Sequence, residues 1–444
     1  MPLIDRDARA LLTANRTFRT VWAGEVLANF GMQLTTFALP LVAVSTVHAS
    51  GLGVGLVSFA QFLPVLLFSL VAGVVVDRHP PRHTLVLGSI LRGAALAGLG
   101  LAAATGRVTL LELGLATGLV GTANVFYEVA YQSTVPKIVP TDSIAAANGL
   151  QQAVYSVGEL AGPSVAGFLL GRLGLSPTLA VAVALFVGAI VSGSLLRGVG
   201  AAGAGREPVL RSIRTGLRYT WSLRPIRDLC VQAGLANLLS QAFMTVFLLQ
   251  AVRELGLGSA TVGVILGIGS LGSVAGSLYA ARLAARLTVG RTLLAGVTLL
   301  ALGLLGVPAA VAVGGYVPVL ASLAFVVLGF GVSLFNVYAV SLRQSIPQPQ
   351  QLGAVTASYR MVALGTLPAG GLLGGALADV LSPHTAAWVI GTACLAAPLW
   401  LLASPLRTVR TLADAKLLGA NTPSVEGMSD QRKPSLGQPA EYVP

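Results

Sequence analysis

Twelve mostly apolar stretches recur along the chain, at 20–46, 53–76, 84–105, 109–134, 145–170, 176–196, 228–252, 259–281, 292–312, 316–341, 353–380 and 384–405. A membrane-spanning helix needs about 20 such residues, and hydrocarbon offers no water to backbone N–H and C=O groups, so each stretch must close its hydrogen bonds within itself. The expected fold is an all-α membrane protein with twelve transmembrane helices. Composition agrees, with 55% of the 444 residues hydrophobic and 10% charged, against about 25% charged in soluble domains. The first stretch is too long for the apolar region of a signal peptide and follows a polar arm, so cleavage is not expected.

Lysine and arginine orient the stack. With the amino terminus in the cytoplasm, 23 of the 28 basic residues fall in the amino-terminal arm, the cytoplasmic loops and the tail, while Arg107, Arg172 and Arg253 fall on the other side. That asymmetry predicts that both termini are cytoplasmic. The net charge of +12 then belongs to loops that meet membrane lipids, and nucleic acid is not an expected partner. Cys230 and Cys394 lie in apolar runs and the four histidines are scattered, so neither a disulfide framework nor a metal site is expected. No glycine precedes any lysine, so there is no P-loop to couple ATP, and no cofactor is expected.

An internal repeat emerges when the chain is shifted by 208 residues: Leu27-Ala28-Asn29 falls on Leu235-Ala236-Asn237, Gln33 on Gln241, Arg78 on Arg286 and Gly162 on Gly370. Six spans per copy return the chain to its starting side, so the two halves enter the membrane in the same sense, with a substrate path between them. The halves are residues 1–196 and 228–405. The linker, 197–227, starts with the flexible run GVGAAGAG and continues as an expected interfacial helix with Leu210, Ile213, Leu217 and Trp221 on one face. Residues 406–444 are polar and expected to form a disordered cytoplasmic tail.

A charge at mid-bilayer costs roughly 2.5–3.5 kcal/mol on insertion scales, which makes buried polar residues functional candidates. Stretch 1 aligns Glu25, Asn29, Gln33 and Thr36 on one helical face, stretch 4 aligns Asn124, Tyr127, Glu128, Tyr131 and Gln132, and stretch 5 aligns Asn148, Gln152, Tyr155 and Glu159. In the second half the stripe is Asn237, Gln241 and Thr245, then Asn336, then Tyr359 and Arg360. Stretches 6, 9 and 12 carry no such stripe and read as lipid-facing. The expected cavity residues are Asn29, Gln33, Asn124, Tyr127, Tyr131, Gln152, Tyr155, Asn237, Gln241, Asn336, Tyr359 and Arg360. Glu25, Glu128 and Glu159, with Arg92 of stretch 3, are the proton-coupling candidates, since a buried carboxyl can be neutral or charged at pH 7. The alternative for each is an ion pair that exchanges no proton. Arg92 and Arg360 also have the reach to snorkel. Glu112, Asp379 and the Arg253-Glu254 pair read as interfacial.

The segment GVVVDRHPPRH, from Gly73 to His83, resembles the G-x-x-x-D-R-x-x-R signature between helices 2 and 3 of the major facilitator superfamily. By that resemblance Gly73, Asp77, Arg78 and Arg82 form a latch that steadies the state closed on the cytoplasmic side, with Gly73 allowing close helix contact. Pro81 stands where glycine is usual, and Ala281 and Ala285 replace the glycine and aspartate in the second copy. Gly149, Gly158, Gly162, Pro163 and Gly167 resemble the antiporter motif of drug-exporting members, a closely packed, proline-bent seam. The runs WAGEVLANFGMQLTTFALPL, YEVAYQSTVPKIVP and ANGLQQAVYSVGELAGP look like the macrolide-efflux and enterobactin-exporter branch, over about residues 15–405. The likeness implies the major facilitator fold, with helices 1, 4, 7 and 10 lining the cavity.

The expected function is secondary active transport at the inner (cytoplasmic) membrane, with a small amphipathic molecule exported in exchange for protons. The protein is expected to act as a monomer and not as an enzyme. Uptake or facilitated diffusion on the same fold is one alternative. A non-transporting sensor that signals through the basic linker is another, against which the buried polar stripes in both halves argue.

Overall fold

The computed structural model describes residues 6–106, 108–196, 200, 217–347 and 352–414. Twelve spans, each long and apolar enough to cross a membrane, follow in chain order. The first half holds α1 (Arg16–Ser45), α2 (Gly51–Arg78), α3 (Pro81–Ala104), α4 (Leu110–Ile138), α5 (Ile144–Leu173) and α6 (Leu175–Ser194). The second holds α7 (Arg224–Leu249), α8 (Ser259–Leu287), α9 (Val289–Val313), α10 (Val317–Ser345), α11 (Leu352–Gly365 and Leu367–Leu381) and α12 (Pro383–Ala393 and Ala396–Ala403). A short helix, Arg6–Ala14, precedes α1.

Local chemistry sets the helix ends. Asn15 caps α1 through the Phe18 amide, Ser50 caps α2 through Gly53, and Thr109 with Glu112 forms a reciprocal capping box on α4. The break in α11 falls at Thr366, just before Pro368, which cannot donate into the helix. α7 covers the break: Asn237 Nδ2 donates to the Ala363 carbonyl at 2.7 Å, and the Thr366 hydroxyl donates to Gly234 O at 3.0 Å.

The halves meet through α2 against α11 and α5 against α8. Glycine makes both seams possible. A Cβ on Gly167 would lie 2.7 Å from Cα of Gly263, and one on Gly375 would strike the carbonyl of Gly51. An exposed belt of large apolar side chains, among them Leu101, Leu115, Val191, Leu302 and Leu399, clothes the outside of the bundle. It reaches α6, α9 and α12, where no polar stripe had been found.

Two boundaries differ from those read in the sequence. Leu406 and Val409 are buried in the second half's core, and the amides of Val289 and Gly290 bond to the carbonyls of Arg410 and Val409. Residues 406–410 therefore belong to the second half's core and not to a disordered tail, because two apolar side chains and the open amides at the start of α9 hold them; residues 415–444 lie outside the described residues. Most of the linker, including Leu210 and Ile213, does so too. At its described end, Tyr219 and Leu223 pack into the second half while Trp221 is exposed.

Candidate functional site

A cavity of about 700 Å³ lies between the halves. Asn29 and Gln33 of α1, Asn124 and Glu128 of α4, Tyr155 and Glu159 of α5, and Arg360 of α11 reach its wall. The first-half stripes arise because residues three or four apart share a helical face, and these faces turn inward together. Met32, Phe62, Leu66 and Met361 supply apolar wall, and Gln61, Ser69 and Thr356 supply polar wall. Gln61 and Ser69 were missed. Their signal was faint: isolated polar residues in the strongly apolar run of α2.

Arg92, at the middle of α3, does not snorkel. It is 1% exposed and turned into the first half. Its Nε donates to Gly88 O at 3.2 Å, Nη2 to Ser89 Oγ at 3.2 Å and Nη1 to Asn124 Oδ1 at 3.1 Å. The guanidinium also sits 4.0 Å from the centroid of the Tyr127 ring and 4.7 Å from that of Phe186. Planar stacking and a fixed fork of donors are properties lysine lacks.

From Arg92 the polar contacts run on to the other half. Asn124 Nδ2 donates to Glu128 Oε1 at 2.9 Å, and Glu128 Oε2 lies 3.9 Å from Arg360 Nη2. The last link is long and partly exposed, so it contributes about 1 kcal/mol or less and breaks readily. Glu25 lies behind the wall, 3% exposed, with Tyr127, Tyr155, Arg92 and Glu128 around it. Its Oε2 is fully buried without a hydrogen-bond partner among the described residues.

Several expected cavity residues lie elsewhere. Asn237 is engaged at the α11 break, Gln241 packs beside Gly370, and Tyr359 stacks on Arg343 at 4.1 Å. Gln152 and Asn336 are exposed away from the cavity, and Tyr127 and Tyr131 are buried in the first half's core. The second-half stripe thus mostly serves packing: the broken α11 takes the Asn237 amide, and Gln241 packs on Gly370.

The motif residues also sort by contact. Gly158 and Gly162 admit Asn29 and Gln33 of α1, Gly167 meets α8, and Pro163 lies beside Gly263. Gly149 has no neighbour within 4 Å of where its Cβ would be. The same is true of Gly73, so the close contact expected there is not made in this conformation. Arg78 and Arg82 are exposed, and the Asp77 side chain lies outside the described residues.

The halves are tied together elsewhere. On the face opposite the termini they are locked: both Asp379 oxygens accept hydrogen bonds from α2, from Gly51 N at 2.6 Å and Leu52 N at 2.7 Å, and Arg253 donates to the Ala49 carbonyl. Ser164 adds a bond to Gly263 O at 3.1 Å. Asp379 and Arg253, which read as interfacial, are inter-half ties.

A family profile described as transmembrane secretion effector matches residues 10–442. The multidrug efflux pump Tap of Mycolicibacterium fortuitum is 26% identical over 377 residues, 80% of this chain and 88% of that protein. Macrolide efflux protein A of Streptococcus pyogenes is 25% identical over 177 residues, 39% of this chain and 42% of that protein. A bacterial homologue of the iron transporter ferroportin, solved in an inward-facing state, shares the fold with a TM-score of 0.69 at 17% identity, covering 87% of this chain and 98% of that one. Twelve spans in two halves, the cavity between them and this profile lead to one conclusion: the chain belongs to the transmembrane secretion effector family of the major facilitator superfamily, and is a membrane transporter rather than an enzyme.

Proposed function

We propose that the chain exports a small amphipathic molecule across a bacterial cytoplasmic membrane in exchange for protons, as a monomer with both termini in the cytoplasm. The observation that carries this reading is the run Arg92, Asn124, Glu128, Arg360, whose last link bridges the halves at 3.9 Å from within the cavity. Protonating Glu128 removes the negative partner of Arg360, so proton binding favours separation of the halves, by about 1 kcal/mol or less through this contact. Glu25, behind Tyr155, is a second carboxyl, close to Arg92. With the termini inside, the locked face is the outer one and the cavity takes cargo from the cytoplasm. The exposed Arg78, Arg82, Arg286 and Arg291 then meet anionic lipid headgroups.

The drive is adequate: for a neutral cargo one proton moved inward yields about 2.3 kcal/mol per 100 mV, nearly two orders of magnitude in cargo ratio, and for a monovalent cation exchanged one for one the charges cancel and each pH unit supplies about 1.4 kcal/mol, a tenfold ratio. The relatives named as efflux pumps support the outward direction. Everted membrane vesicles containing the protein test it. Acidifying their lumen is expected to drive accumulation of a cationic dye such as ethidium above that of vesicles without the protein. Equal accumulation across a panel of amphipathic probes would overturn export.

A further inference from the structure

A second cavity, of about 160 Å³, opens among α1, α5, α7, α8, α9 and α10. Its wall is aromatic and sulfur-bearing, with Phe37, Phe243, Phe325 and Met244, and Ser240 and Ser270 add hydroxyls. Glu159 lines this cavity and the central one alike, and stands where the two adjoin. The three first-half carboxyls differ sharply in their partners. Glu128 is engaged by Asn124 and Arg360, and Glu25 reaches neither wall. The Glu159 carboxyl makes no hydrogen bond or ion pair among the described residues; Ser270 bonds only to its backbone carbonyl.

An unpaired carboxylate bordering an apolar chamber is a strong preference for a positive ligand group. The chamber's size sets what accompanies that charge, because an apolar cavity of about 150 Å³ is enough to hold a benzene ring. Phenylalanine faces favour a nearby cation further. We propose that the side cavity seats an aromatic or similarly compact apolar group of a cationic substrate, with Glu159 as the counter-charge, while the rest of the molecule occupies the central cavity. An anionic molecule of the same shape is repelled by the same carboxylate. The inference rests on the chain transporting amphipathic molecules and deepens that reading by assigning the charge of the cargo and a place for its ring.

Equilibrium binding to purified full-length protein in detergent, with no gradient imposed, tests it with two probes of similar shape: methyltriphenylphosphonium, a cation, and triphenylphosphine oxide, which is neutral. Wild-type protein is expected to prefer the cation. Glu159→Gln is expected to weaken the cation about tenfold and leave the neutral probe unchanged, whereas Glu159→Asp keeps the cation within about threefold. Retained neutral-probe binding by Glu159→Gln, or cation binding by Glu159→Asp, shows that folding is intact. Ser240→Phe fills the side cavity from α7 without touching the carboxyl and is expected to weaken both probes about tenfold. Unchanged cation binding in Glu159→Gln, unchanged binding of both probes in Ser240→Phe, or a wild type that ignores the cation or fails to prefer it would each overturn the proposal. Proton coupling plays no part in this measurement, so failure of antiport in vesicles leaves the binding result standing, and the reverse also holds.

Discussion

Asp379 closes the bundle from 328 positions away from the amide it caps, and removing its charge should loosen that face alone. The first amides of any helix lack intrahelical partners. In α2 those of Gly51 and Leu52 are met by the two Asp379 oxygens at 2.6 and 2.7 Å, across the seam between the halves. Hydrogen bonds to a charged group contribute about 1.5–3 kcal/mol each, and the helix dipole adds about 0.3–1 kcal/mol at an exposed site. Asp379→Asn keeps one carbonyl oxygen and loses the charge, so with the site's exposure taken into account the loss is about 1.5 kcal/mol, roughly a tenfold rise in the population open on that face. Hydrogen–deuterium exchange of peptides covering 47–57 reads this directly, since exchange there scales with local opening. The expected result is about tenfold faster exchange in this segment and at the facing end of α11, with the interior of α3 unchanged. Unaltered exchange at Gly51 and Leu52 would refute the reasoning.

Gly167→Ala places a methyl 2.7 Å from backbone of α8 and should cost about 1–3 kcal/mol, lowering the thermal midpoint, whereas Gly149→Ala meets open space and should leave the midpoint equal or higher. Arg92→Lys retains the charge but loses the fork to Ser89 and Asn124 and the stack on Tyr127; a loss of about 2–4 kcal/mol is expected in thermal unfolding, despite its standing as a conservative change. Asn237→Leu removes the amide donor from the Ala363 carbonyl at the α11 break and leaves it only the Thr366 hydroxyl, which is shared with Gly234 O, so stability should fall by about 1 kcal/mol while the apparent KM for exported probes stays unchanged. A raised KM with unchanged stability would return Asn237 to the cavity.

The spans were legible because length and apolarity are enough to mark them, and the first-half stripes were legible because helical spacing puts Asn29 with Gln33 and Asn124 with Glu128 whatever the tertiary structure does. The failures share one cause: periodicity shows which residues share a face but not what that face meets. Asn237 carries the same pattern as Asn29, yet the break before Pro368 frees a carbonyl that claims its amide. Arg92 sits where a long side chain can reach the interface, but two aromatic rings and three acceptors within the first half hold it better than water does. Asp379 looked like one more interfacial carboxylate, since nothing local links it to α2. Glu159, though found by spacing, acquired its distinctive position only when α7, α8 and α10 supplied a second chamber beside it.

In the proposed export cycle, carboxyls of the first half carry the exchanged proton. The sharpest test is pH-driven probe accumulation in everted vesicles by Glu25→Gln, Glu128→Gln, Glu159→Gln and the triple variant, at matched expression. Glu128→Gln is expected to abolish accumulation while leaving downhill probe movement intact, and Glu25→Gln to reduce it. Accumulation at the wild-type level in the triple variant would show that none of these carboxyls carries the proton.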